Sequence, residues 1–449
     1  MNCFRGIIGA SLHNSVRKLY GKQILPSCKF LFKSFSPKTV TWQWTRALSD
    51  APSKLPGSTF SLHWTNTPEF IIPEHNEGIP VYRVLDDHGE ILPGAADPSL
   101  SKELCLDMLK TMVTLGVMDK IMYDAQRQGR VSFYMTNHGE EACQIGSAAA
   151  LHPKDLIWGQ YREAGVLLHR GFPVVQFMHQ CYGNSKDLGK GRQMPVHYGS
   201  KDLHFVTISS TLATQMPQAV GSAYAYKMQN NGLCVVCYFG DGAASEGDAH
   251  AAMNFASTLK CPILFICRNN GFAISTPAHE QFRGDGIASR GVGYGIATIR
   301  VNGNDVFAMY NAVKEAREMS LSKNCPVLIE AMTYRLGHHS TSDDSSAYRS
   351  LDEVSYWKEK NNPLQKLESY LINKGWWSEE DTAKLKQDAR KKVLLAFNEA
   401  EKEKLAPYPS AFEDVYAEMV PRLQKQLEET QEHVSHHKEQ YSLDKYLPS

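Results

Sequence analysis

The 449-residue chain lacks any apolar run long enough to cross a membrane. Its longest runs, Cys234 to Phe239 and Pro262 to Cys267, fall far short of the roughly 20 residues that a bilayer requires. Hydrophobic residues make up 42% of the chain and charged residues 21%, as in ordinary soluble globular proteins. The sequence therefore predicts no membrane span, and its length allows a large core.

The ten cysteines lack the spacing of a disulfide framework. Cys234 and Cys237 form a nominal C-x-x-C, but they lie inside an apolar strand pattern. Residues three apart in a strand point to opposite faces of the sheet, so these thiols cannot easily share a metal or a disulfide. We therefore expect buried, reduced cysteines.

Two common nucleotide-binding motifs are also missing. The run from Gly183 to Gly191 has five residues between its first two glycines and no Ser or Thr after Lys190, so it is not a P-loop. No G-x-G-x-x-G follows a strand with an acidic residue about 20 positions further on, so a nicotinamide site is not predicted.

The first 49 residues contain no aspartate or glutamate. They contain several serines, a stretch at 11–34 that can form an amphipathic helix, and eight basic residues: Arg5, Arg17, Lys18, Lys22, Lys29, Lys33, Lys38 and Arg46. This composition is typical of a mitochondrial transit peptide, which we assign to residues 1–48, with the mature protein in the matrix. The alternative is a disordered basic arm that binds an acidic partner. The remaining 40 Lys and Arg against 48 Asp and Glu do not indicate nucleic-acid binding.

The rest of the chain divides by its periodicity. Residues 49–101 are rich in proline and polar residues, which predicts an extended arm with one short strand at 79–84. Residues 102–350 begin with a long amphipathic helix at 102–127 and then alternate between strands and helices. This alternation predicts an α/β fold with a mostly parallel sheet covered by helices on both faces. Residues 351–449 predict a helical C-terminal region.

The individual elements follow from the same patterns. Predicted helices lie at 140–150, 212–228, 247–258 and 306–319, and predicted strands at 233–239, 263–267, 297–301 and 327–335. In the C-terminal region, Pro363 suits a first helical turn. Ser378 suits the N-cap of a helix that runs to about residue 404.

The sharpest motif is Gly240-Asp241-Gly242, followed after 26 intervening residues by Asn269-Asn270. Each half closes a predicted strand, and a predicted helix lies between the two halves. The glycine-rich turn therefore lies at the carboxyl end of a strand, which is where open α/β sheets bind ligands.

The residue types at this turn suit a diphosphate. Gly242 and the small Ala243 let the backbone approach a phosphate near a helix N-terminus. Asp241 and Asn270, at the ends of adjacent strands, offer hard oxygen atoms, and Mg²⁺ takes one or two such groups together with phosphate oxygens. The pattern predicts a diphosphate that a divalent cation bridges to the protein.

The spacing matches the thiamin diphosphate fingerprint. The runs GDGAASEGD at 240–248, QYREAG at 160–165 and AMTYR at 331–335 resemble the E1α family of thiamin-diphosphate-dependent 2-oxo acid dehydrogenases. The run GHHSTSDDSSAYR at 337–349 is similar to that of the branched-chain members. Pyruvate-specific relatives carry a different loop and lack the double histidine. The resemblance extends from about residue 78 to the C-terminus.

The resemblance implies thiamin diphosphate, Mg²⁺ and K⁺ as cofactors. The implied Mg²⁺ ligands are Asp241, Asn270 and the main-chain oxygen of Phe272, where relatives usually have Tyr. The implied diphosphate contacts are Gln160, Tyr161, Arg162 and Arg268, and the implied lining of the thiazolium and substrate pocket is Ser210 and Leu212. The implied K⁺ ligands are Ser209, Thr211, Thr214 and Gln215, and relatives often have Pro where this chain has Thr211.

The resemblance also implies that His339 is catalytic, together with Ser210. His339 follows a predicted buried strand and opens a loop, a common position for catalytic side chains. A neutral imidazole there can donate to or accept from the developing carbonyl oxygen of the substrate. Without the resemblance, a histidine after a strand is more often structural, and His338 remains without a role.

The loop at 337–350 is rich in Ser, Thr and Asp, which is typical of a solvated, flexible segment. The resemblance implies in addition that Ser340 and Ser350 are phosphorylated by a dedicated kinase and dephosphorylated by a phosphatase. A phosphate on Ser340 would place about −1.5 to −2 charge beside His339.

No second sheet domain is predicted, so the half of the site that contacts the aminopyrimidine ring must come from another chain. The resemblance implies an E1 β subunit in an α2β2 assembly, and a lipoyl-bearing E2 core that accepts the acyl group. Two alternatives stay open: an E1α that acts on pyruvate or acetoin, and a non-catalytic scaffold or regulatory subunit. Intact Asp241, Asn270 and His339 argue against the second.

Overall fold

The structure, a computed structural model, describes residues 64–75 and 77–448. The transit peptide predicted over 1–48 and the first part of the predicted arm, 49–63, lie outside the described residues. Residues 64–75 are mostly exposed and contain one 3-10 turn, Pro73–His75. The fold that positions the site lies in the residues that follow.

In the described part of the chain, seven strands form one sheet in which every pairing is parallel. With the two strands of a separate ribbon, the described residues contain nine strands. In chain order they are β1 (Val81–Tyr82), β2 (Leu156–Trp158), β3 (Phe205–Val206), β4 (Val235–Gly240), β5 (Ile263–Asn269), β6 (Phe272–Ala273), β7 (Thr276–Pro277), β8 (Ala297–Asn302) and β9 (Val327–Met332). The sheet order is β1-β8-β9-β5-β4-β2-β3, and β6 and β7 form a separate antiparallel ribbon. The predicted α/β class is confirmed.

The helices that cover the sheet follow the predicted alternation. They are α1 (Lys102–Arg127), α2 (Glu141–Ala149), α3 (Ala164–His169), α4 (Val174–Tyr182), α5 (Gln215–Gln229), α6 (Gly247–Leu259), α7 (Ala278–Gln281), α8 (Ala288–Gly293), α9 (Val306–Lys323), α10 (Leu351–Lys360), α11 (Pro363–Asn373), α12 (Glu379–Lys402) and α13 (Pro421–His436). Short 3-10 turns lie at Ala243–Ser245, Ser345–Ala347, Tyr408–Phe412, Lys438–Gln440 and Leu443–Lys445.

Several predicted boundaries differ from the structure: the helix predicted at 306–319, for example, runs on to Lys323. The strand predicted at 79–84 has only two paired residues, and the one predicted at 327–335 ends at Met332. The helix predicted from residue 212 begins at Gln215, because Ala213 has φ +64°, a left-handed conformation that no helix can contain. The short strands β2 and β3 were not predicted, since two or three residues carry no readable periodicity. The helices α3 and α4, of six and nine residues, were not predicted either.

Both faces of the central strands are buried, as expected of a parallel sheet. On one face, alternate residues of β4 and β5 belong to one buried cluster with residues of α1, α2, α9 and α12, and on the other face to a second cluster with residues of α5 and α6. Cys234 lies in the first of these clusters and Cys237 in the second, so the two thiols point to opposite faces. Both are buried and free, which confirms the prediction.

The C-terminal helices begin as predicted. Pro363 is the first residue of α11, and the Asn362 side chain accepts from the backbone of Leu364 and Gln365. Ser378 and Asp381 form a reciprocal capping box at the start of α12. Because α12 packs against α1 and α4, the helical region is joined closely to the α/β layer. The domain boundary predicted at residue 350 stays a prediction. Among the described helices, none combines the length and apolarity needed to span a membrane.

Asp305 connects the segment that follows β1 to the N-terminus of α9. One of its carboxylate oxygens accepts from the backbone N–H groups of Phe307 and Ala308, both at 3.0 Å, and caps α9. The other accepts from the backbone of Val84 and Leu85, both at 2.7 Å. The carboxylate is buried, so each of these donors depends on it.

We expect Asp305→Ala to lower the free energy of unfolding by at least about 3 kcal/mol, because it removes a cap and leaves buried donors unpaired. Ser378→Ala, which removes an exposed cap, should cost only about 1 kcal/mol. Urea unfolding followed by circular dichroism measures both. Equal losses would show that the link to Val84 and Leu85 contributes nothing.

Candidate active site

The two halves of the fingerprint meet at one edge of the sheet. β4 and β5 are adjacent and parallel, with Gly240 paired to Arg268. A Cβ at Gly242 would lie 2.8 Å from the Cβ of Ala273, so the two turns touch and only glycine fits at this position. The prediction that Asp241 and Asn270 follow adjacent strand ends is confirmed.

Asp241 is buried at this edge. Its Oδ2 accepts from Nε2 of Gln281 at 3.1 Å, and Gln281 also donates to the carbonyl oxygen of Thr276. Burial raises the pKa of Asp241, and the nearby negative charge of Glu140 adds to the effect. A carboxylate in this position is suited to a cation, whose charge would offset both the burial and the repulsion from Glu140.

The two asparagines of the motif have different partners. Asn269 Nδ2 donates to Oε1 of buried Glu330 at 2.8 Å, and Asn269 Oδ1 accepts from the backbone of Gly271 at 3.0 Å. Glu330 also accepts from Arg300 Nε at 2.9 Å. Asn269 is therefore a structural residue that holds the turn after β5, and Asn270 is the one that faces the site.

Asn270 contacts a carboxylate that the sequence did not single out. Its Nδ2 donates to Glu140 Oε1 at 2.6 Å, and its Oδ1 accepts from the backbone of Phe272 at 3.2 Å. Burial by itself would raise the pKa of Glu140, but Arg268, Arg162 and the Asn270 hydrogen bond outweigh it, so the pKa lies below its ordinary range. Glu140 is therefore an ionised, buried acceptor.

Arg268 is the buried cation of the site. Its Nη1 donates to Glu140 Oε2 at 2.5 Å and its Nε donates to Glu163 Oε1 at 2.7 Å. Burial would lower the pKa of Arg268, but Glu163 and Glu140 raise it well above its ordinary value. Within the described residues, its buried Nη2 has no hydrogen-bond partner. An unpaired buried guanidinium N–H is costly, and a phosphate oxygen would satisfy it, so the residues fit a diphosphate.

Gln160 joins this cluster to the glycine-rich turn. Its Oε1 accepts from the backbone N–H of Gly240 at 2.7 Å, and its own backbone N–H donates to Glu163 Oε2 at 2.6 Å. The next residue, Tyr161, is half-buried, and its ring lies edge-on to the His339 ring with centroids 6.0 Å apart. Gln160 and Tyr161 thus lie between the predicted diphosphate site and the predicted catalytic histidine.

His339 lies between two arginines. Arg162 Nη2 lies 3.3 Å and Arg335 Nη1 lies 3.2 Å from His339 Nδ1. Guanidinium groups only donate, so Nδ1 accepts and the ring proton is on Nε2. Burial, followed by the charges of Arg162 and Arg335, lowers the pKa of His339 to about 3. With this pKa the imidazole is neutral at physiological pH, and Nε2–H is the donor that it can offer to a substrate.

The loop at 337–350 is held by its own side chains. Asp343 Oδ2 accepts from the backbone of His339 at 2.7 Å and from the Tyr348 hydroxyl at 2.6 Å. Arg349 donates to the carbonyl oxygens of Arg335 and Gly337 and so closes the loop at its base.

Within this loop, the two predicted phosphorylation sites differ in exposure. Ser340 is 9% exposed, and its Oγ accepts from the backbone of Ser342 at 3.2 Å. Ser350 is exposed and caps α10 through the backbone of Glu353 at 3.1 Å. His338, which had no predicted role, accepts from the backbone of Ser345 through Nδ1 at 3.0 Å and so shapes the turn.

Ser210 is paired with a histidine that the sequence did not single out. Its Oγ lies 2.6 Å from Nε2 of His197, and Nδ1 of His197 lies 3.0 Å from the carbonyl oxygen of Pro195. Because the carbonyl can only accept, Nδ1 carries the ring proton and the Ser210 hydroxyl donates to Nε2. Ser210 itself is exposed, and Leu212 is half-buried against the apolar core.

The segment with the predicted K⁺ ligands forms a tight turn before α5. The Thr214 hydroxyl donates to the carbonyl oxygen of Thr211 at 3.0 Å, and Gln215 Nε2 donates to the carbonyl oxygen of Tyr238 at 3.0 Å. Ser209 and Thr211 are exposed. The turn therefore brings the Thr211 carbonyl oxygen and the Thr214 hydroxyl close together, next to the Gln215 side chain.

Sequence reasoning missed several residues that hold the site. Glu163 and Arg335 lie inside motifs that were noted, but no pattern assigned their contacts. Glu140 and His197 carry no motif signal, because their roles arise from the approach of distant segments: Glu140 bonds to a residue 130 positions away.

The fold and this site define a class of protein. The family described as dehydrogenase E1 component matches residues 109–408, and the chain belongs to this family. Its members are thiamin diphosphate enzymes.

Three of the similar proteins are named as alpha subunits of 2-oxoisovalerate dehydrogenase. The chain is 57% identical over 94% of its length, and 94% of the relative's, to the human 2-oxoisovalerate dehydrogenase subunit alpha, mitochondrial. It is 56% identical to the Caenorhabditis elegans protein of that name, over 90% of this chain and 93% of the relative. It is 53% identical to 2-oxoisovalerate dehydrogenase subunit alpha 1, mitochondrial, of Arabidopsis thaliana, over 81% and 77%.

The neutral state of His339 predicts a loss of stability in acid. The folded-state pKa near 3 lies below the value of about 6.5 that the unfolded chain restores. Between these values the unfolded state binds one more proton, so the free energy of unfolding falls as the pH falls. We expect His339→Gln to reduce this slope by about 1.4 kcal/mol per pH unit between pH 6 and 4.5.

Urea unfolding across this pH range measures the slope. Substitution of His279, whose side chain is 81% exposed, by Gln is the control and should leave the slope unchanged. If His339→Gln has the slope of the parent protein, the ring is not held neutral by Arg162 and Arg335.

Proposed function

We propose that the chain is the α subunit of a branched-chain 2-oxo acid dehydrogenase E1 component in the mitochondrial matrix. Its substrates would be 3-methyl-2-oxobutanoate and the corresponding acids from leucine and isoleucine. The proposal is carried by the pairing of Asp241 and Asn270 at adjacent strand ends. Asn270 lies two residues after Arg268, whose Nη2 has no hydrogen-bond partner among the described residues. The printed names of the relatives support the substrate class and the compartment.

The residues proposed to bind the cofactor are those whose side-chain or backbone atoms suit Mg²⁺ and a diphosphate. Mg²⁺ would be bound by Asp241, Asn270 and the main-chain oxygen of Phe272, which are hard oxygen ligands. The diphosphate would be contacted by Gln160, Tyr161, Arg162, Arg268 and the backbone of Gly240, Gly242 and Ala243. Ser210 and Leu212 would line the thiazolium and substrate pocket, with the Ser210 hydroxyl oriented by His197.

When bound, thiamin diphosphate supplies an electron sink for the loss of CO2 from a 2-oxo acid. His339 would donate from Nε2–H to the oxygen that gains negative charge. Arg162 and Arg335 keep Nδ1 occupied and unprotonated, so the ring stays a neutral donor at physiological pH. The same two cations favour an anionic substrate beside the ring.

A potassium ion is part of the proposal, bound by Ser209, Thr211, Thr214 and Gln215. The left-handed backbone of Ala213, with φ +64°, supports this K⁺ site. This conformation turns neighbouring carbonyl groups away from the hydrogen-bond pattern of a helix, so they can face a cation. Gln215 uses Nε2 for Tyr238, which leaves Oε1 for a cation.

The chain would act with a β subunit in an α2β2 assembly. Two observations support this. First, the described residues contain one large sheet, and the fingerprint lies at its edge without a second sheet domain facing it. Second, α5 and α6 expose large apolar side chains, among them Met228 at 68% and Phe255 at 58%, and such patches are typical of subunit contacts. The acyl product would pass to a lipoyl-bearing E2 core.

The loop at 337–350 would be the regulated element, acted on by a kinase and a phosphatase. Ser340 adjoins His339 and is nearly buried, so a phosphate there could not fit without opening the loop. Ser350 is exposed at the N-terminus of α10, where a negative charge is favourable.

Co-expression with a β subunit tests the function. We expect CO2 release that depends on thiamin diphosphate and Mg²⁺, faster from 3-methyl-2-oxobutanoate than from pyruvate. Asp241→Asn should weaken Mg²⁺ activation at least about tenfold, because a ligand charge is lost. Asp248→Asn, at an exposed acid in the same motif, is the matched control and should leave it unchanged.

Preference for pyruvate would move the chain to the pyruvate-specific group of E1α enzymes. A properly assembled complex that binds neither thiamin diphosphate nor Mg²⁺ would instead favour the scaffold alternative.

Ser340 and Ser350 should respond differently to a negative charge. We expect Ser340→Glu to reduce turnover with a lipoyl acceptor by more than about 100-fold, because the charge lies beside His339 and disrupts the closed loop. Ser350→Glu should stay within about twofold of the parent protein, since its charge meets a helix N-terminus in solvent. Steady-state assays of both variants measure this, and normal turnover by Ser340→Glu would refute the regulatory proposal.

A further inference from the structure

We propose that Glu140 is a positioning residue that sets the orientation of the Asn270 carboxamide and so determines the affinity of the site for its divalent cation. This inference rests on the proposed function and assigns a role to a residue that neither the fingerprint nor the family motifs identify. The geometry behind it is the bridge that Glu140 makes between Asn270 and Arg268, with one carboxylate oxygen on each.

The chemistry of the carboxylate determines which way the amide points. An ionised carboxylate only accepts, so the group that faces Glu140 Oε1 at 2.6 Å must be the NH2 of Asn270. The carbonyl end, Oδ1, is thereby turned to the opposite side, where it accepts from the backbone of Phe272. A cation requires this oxygen and is repelled by the amide NH2, so a flipped Asn270 could not bind it.

Glu140 is itself held in place by a buried ion pair. Its Oε2 accepts from Arg268 Nη1 at 2.5 Å, and its side chain is 1% exposed. The preceding residue, Gly139, has φ +92°, and a Cβ there would lie 2.1 Å from the carbonyl oxygen of Tyr334. The backbone just before Glu140 therefore packs closely against Tyr334, and only glycine fits at position 139. Both carboxylate oxygens of Glu140 thus accept a hydrogen bond, one from Arg268 and one from Asn270.

The contact is equivalent to the outer-shell hydrogen bonds that orient metal ligands in other proteins, whose loss typically costs 10- to 100-fold in metal affinity. Glu140→Gln keeps the size of the side chain but replaces one acceptor by an NH2 group. If its oxygen stays on Arg268, its NH2 faces Asn270, and the asparagine must flip to avoid two opposed NH2 groups.

Glu163→Gln provides the matched control. Glu163 is also fully buried and also pairs with Arg268, at 2.7 Å, but it does not contact Asn270. The two substitutions remove the same charge from the same arginine. They differ in which neighbour loses its acceptor, which is the Asn270 amide in Glu140→Gln and the backbone N–H of Gln160 in Glu163→Gln.

The test uses the assembled complex with its β subunit, saturated with thiamin diphosphate. Binding of Mn²⁺ is followed by electron paramagnetic resonance, and Mg²⁺ is measured by competition, so the readout does not depend on turnover. We expect Glu140→Gln to weaken the affinity for both ions by about 10- to 100-fold, and Glu163→Gln by no more than about threefold. Thermal unfolding of each complex verifies that the variants are folded.

Equal weakening in both variants, or normal affinity in Glu140→Gln, would overturn the inference while leaving the proposed function in place. Failure of the parent complex to bind Mn²⁺ would overturn the proposed function as well. If Glu140→Gln does not assemble, Glu140→Asp takes its place, because it keeps the charge on Arg268 but draws the carboxylate back from Asn270. It should then weaken Mn²⁺ binding several-fold, and unchanged binding would contradict the proposal.

Discussion

Arg268 lies wholly buried between Glu140 and Glu163, and the rest of the site depends on this arrangement. The three side chains come from β5, from the residue before α2 and from the residue before α3. Through Glu163 the cluster reaches Gln160 and the backbone of Gly240, and through Glu140 it reaches Asn270. Loss of either carboxylate would leave a buried charge partly unpaired, which costs about 3–5 kcal/mol. The cluster thus links folding to the geometry of the site.

A second group of cations determines the state of the proposed catalytic residue. Arg162 and Arg335 both direct their N–H groups at Nδ1 of His339, and together with burial they keep the imidazole neutral. Asp343 holds the backbone of the same residue. The neutral ring therefore has its proton on Nε2. The loop that contains Ser340 is closed at its base by the hydrogen bonds of Arg349.

Much of the fold could be predicted from the chain because its signals are local. The period of apolar residues predicted α1, β4, β5 and α9 to within a few residues, and the capping pattern predicted the start of α12. Short elements such as β2 and β3 could not be predicted, since their pairing partners, and not their own residues, define them. The late start of α5 depends on the left-handed backbone of Ala213. A glycine would have indicated this conformation, but the residue here is alanine.

The sequence alone determined the fingerprint: a glycine-rich turn, an aspartate and an asparagine, each after a strand, at a spacing that brings strand ends together. These features depend on neighbouring residues and on strand length, so the amino-acid sequence alone is enough to predict them. Only the tertiary structure decided which side chains complete the site. Glu140 lies 130 residues from Asn270, and Arg162 lies 177 residues from His339, so their contacts exist only once the sheet has assembled. Hydrogen-bond direction and charge state follow from those contacts, because burial and facing partners, more than residue type, determine them.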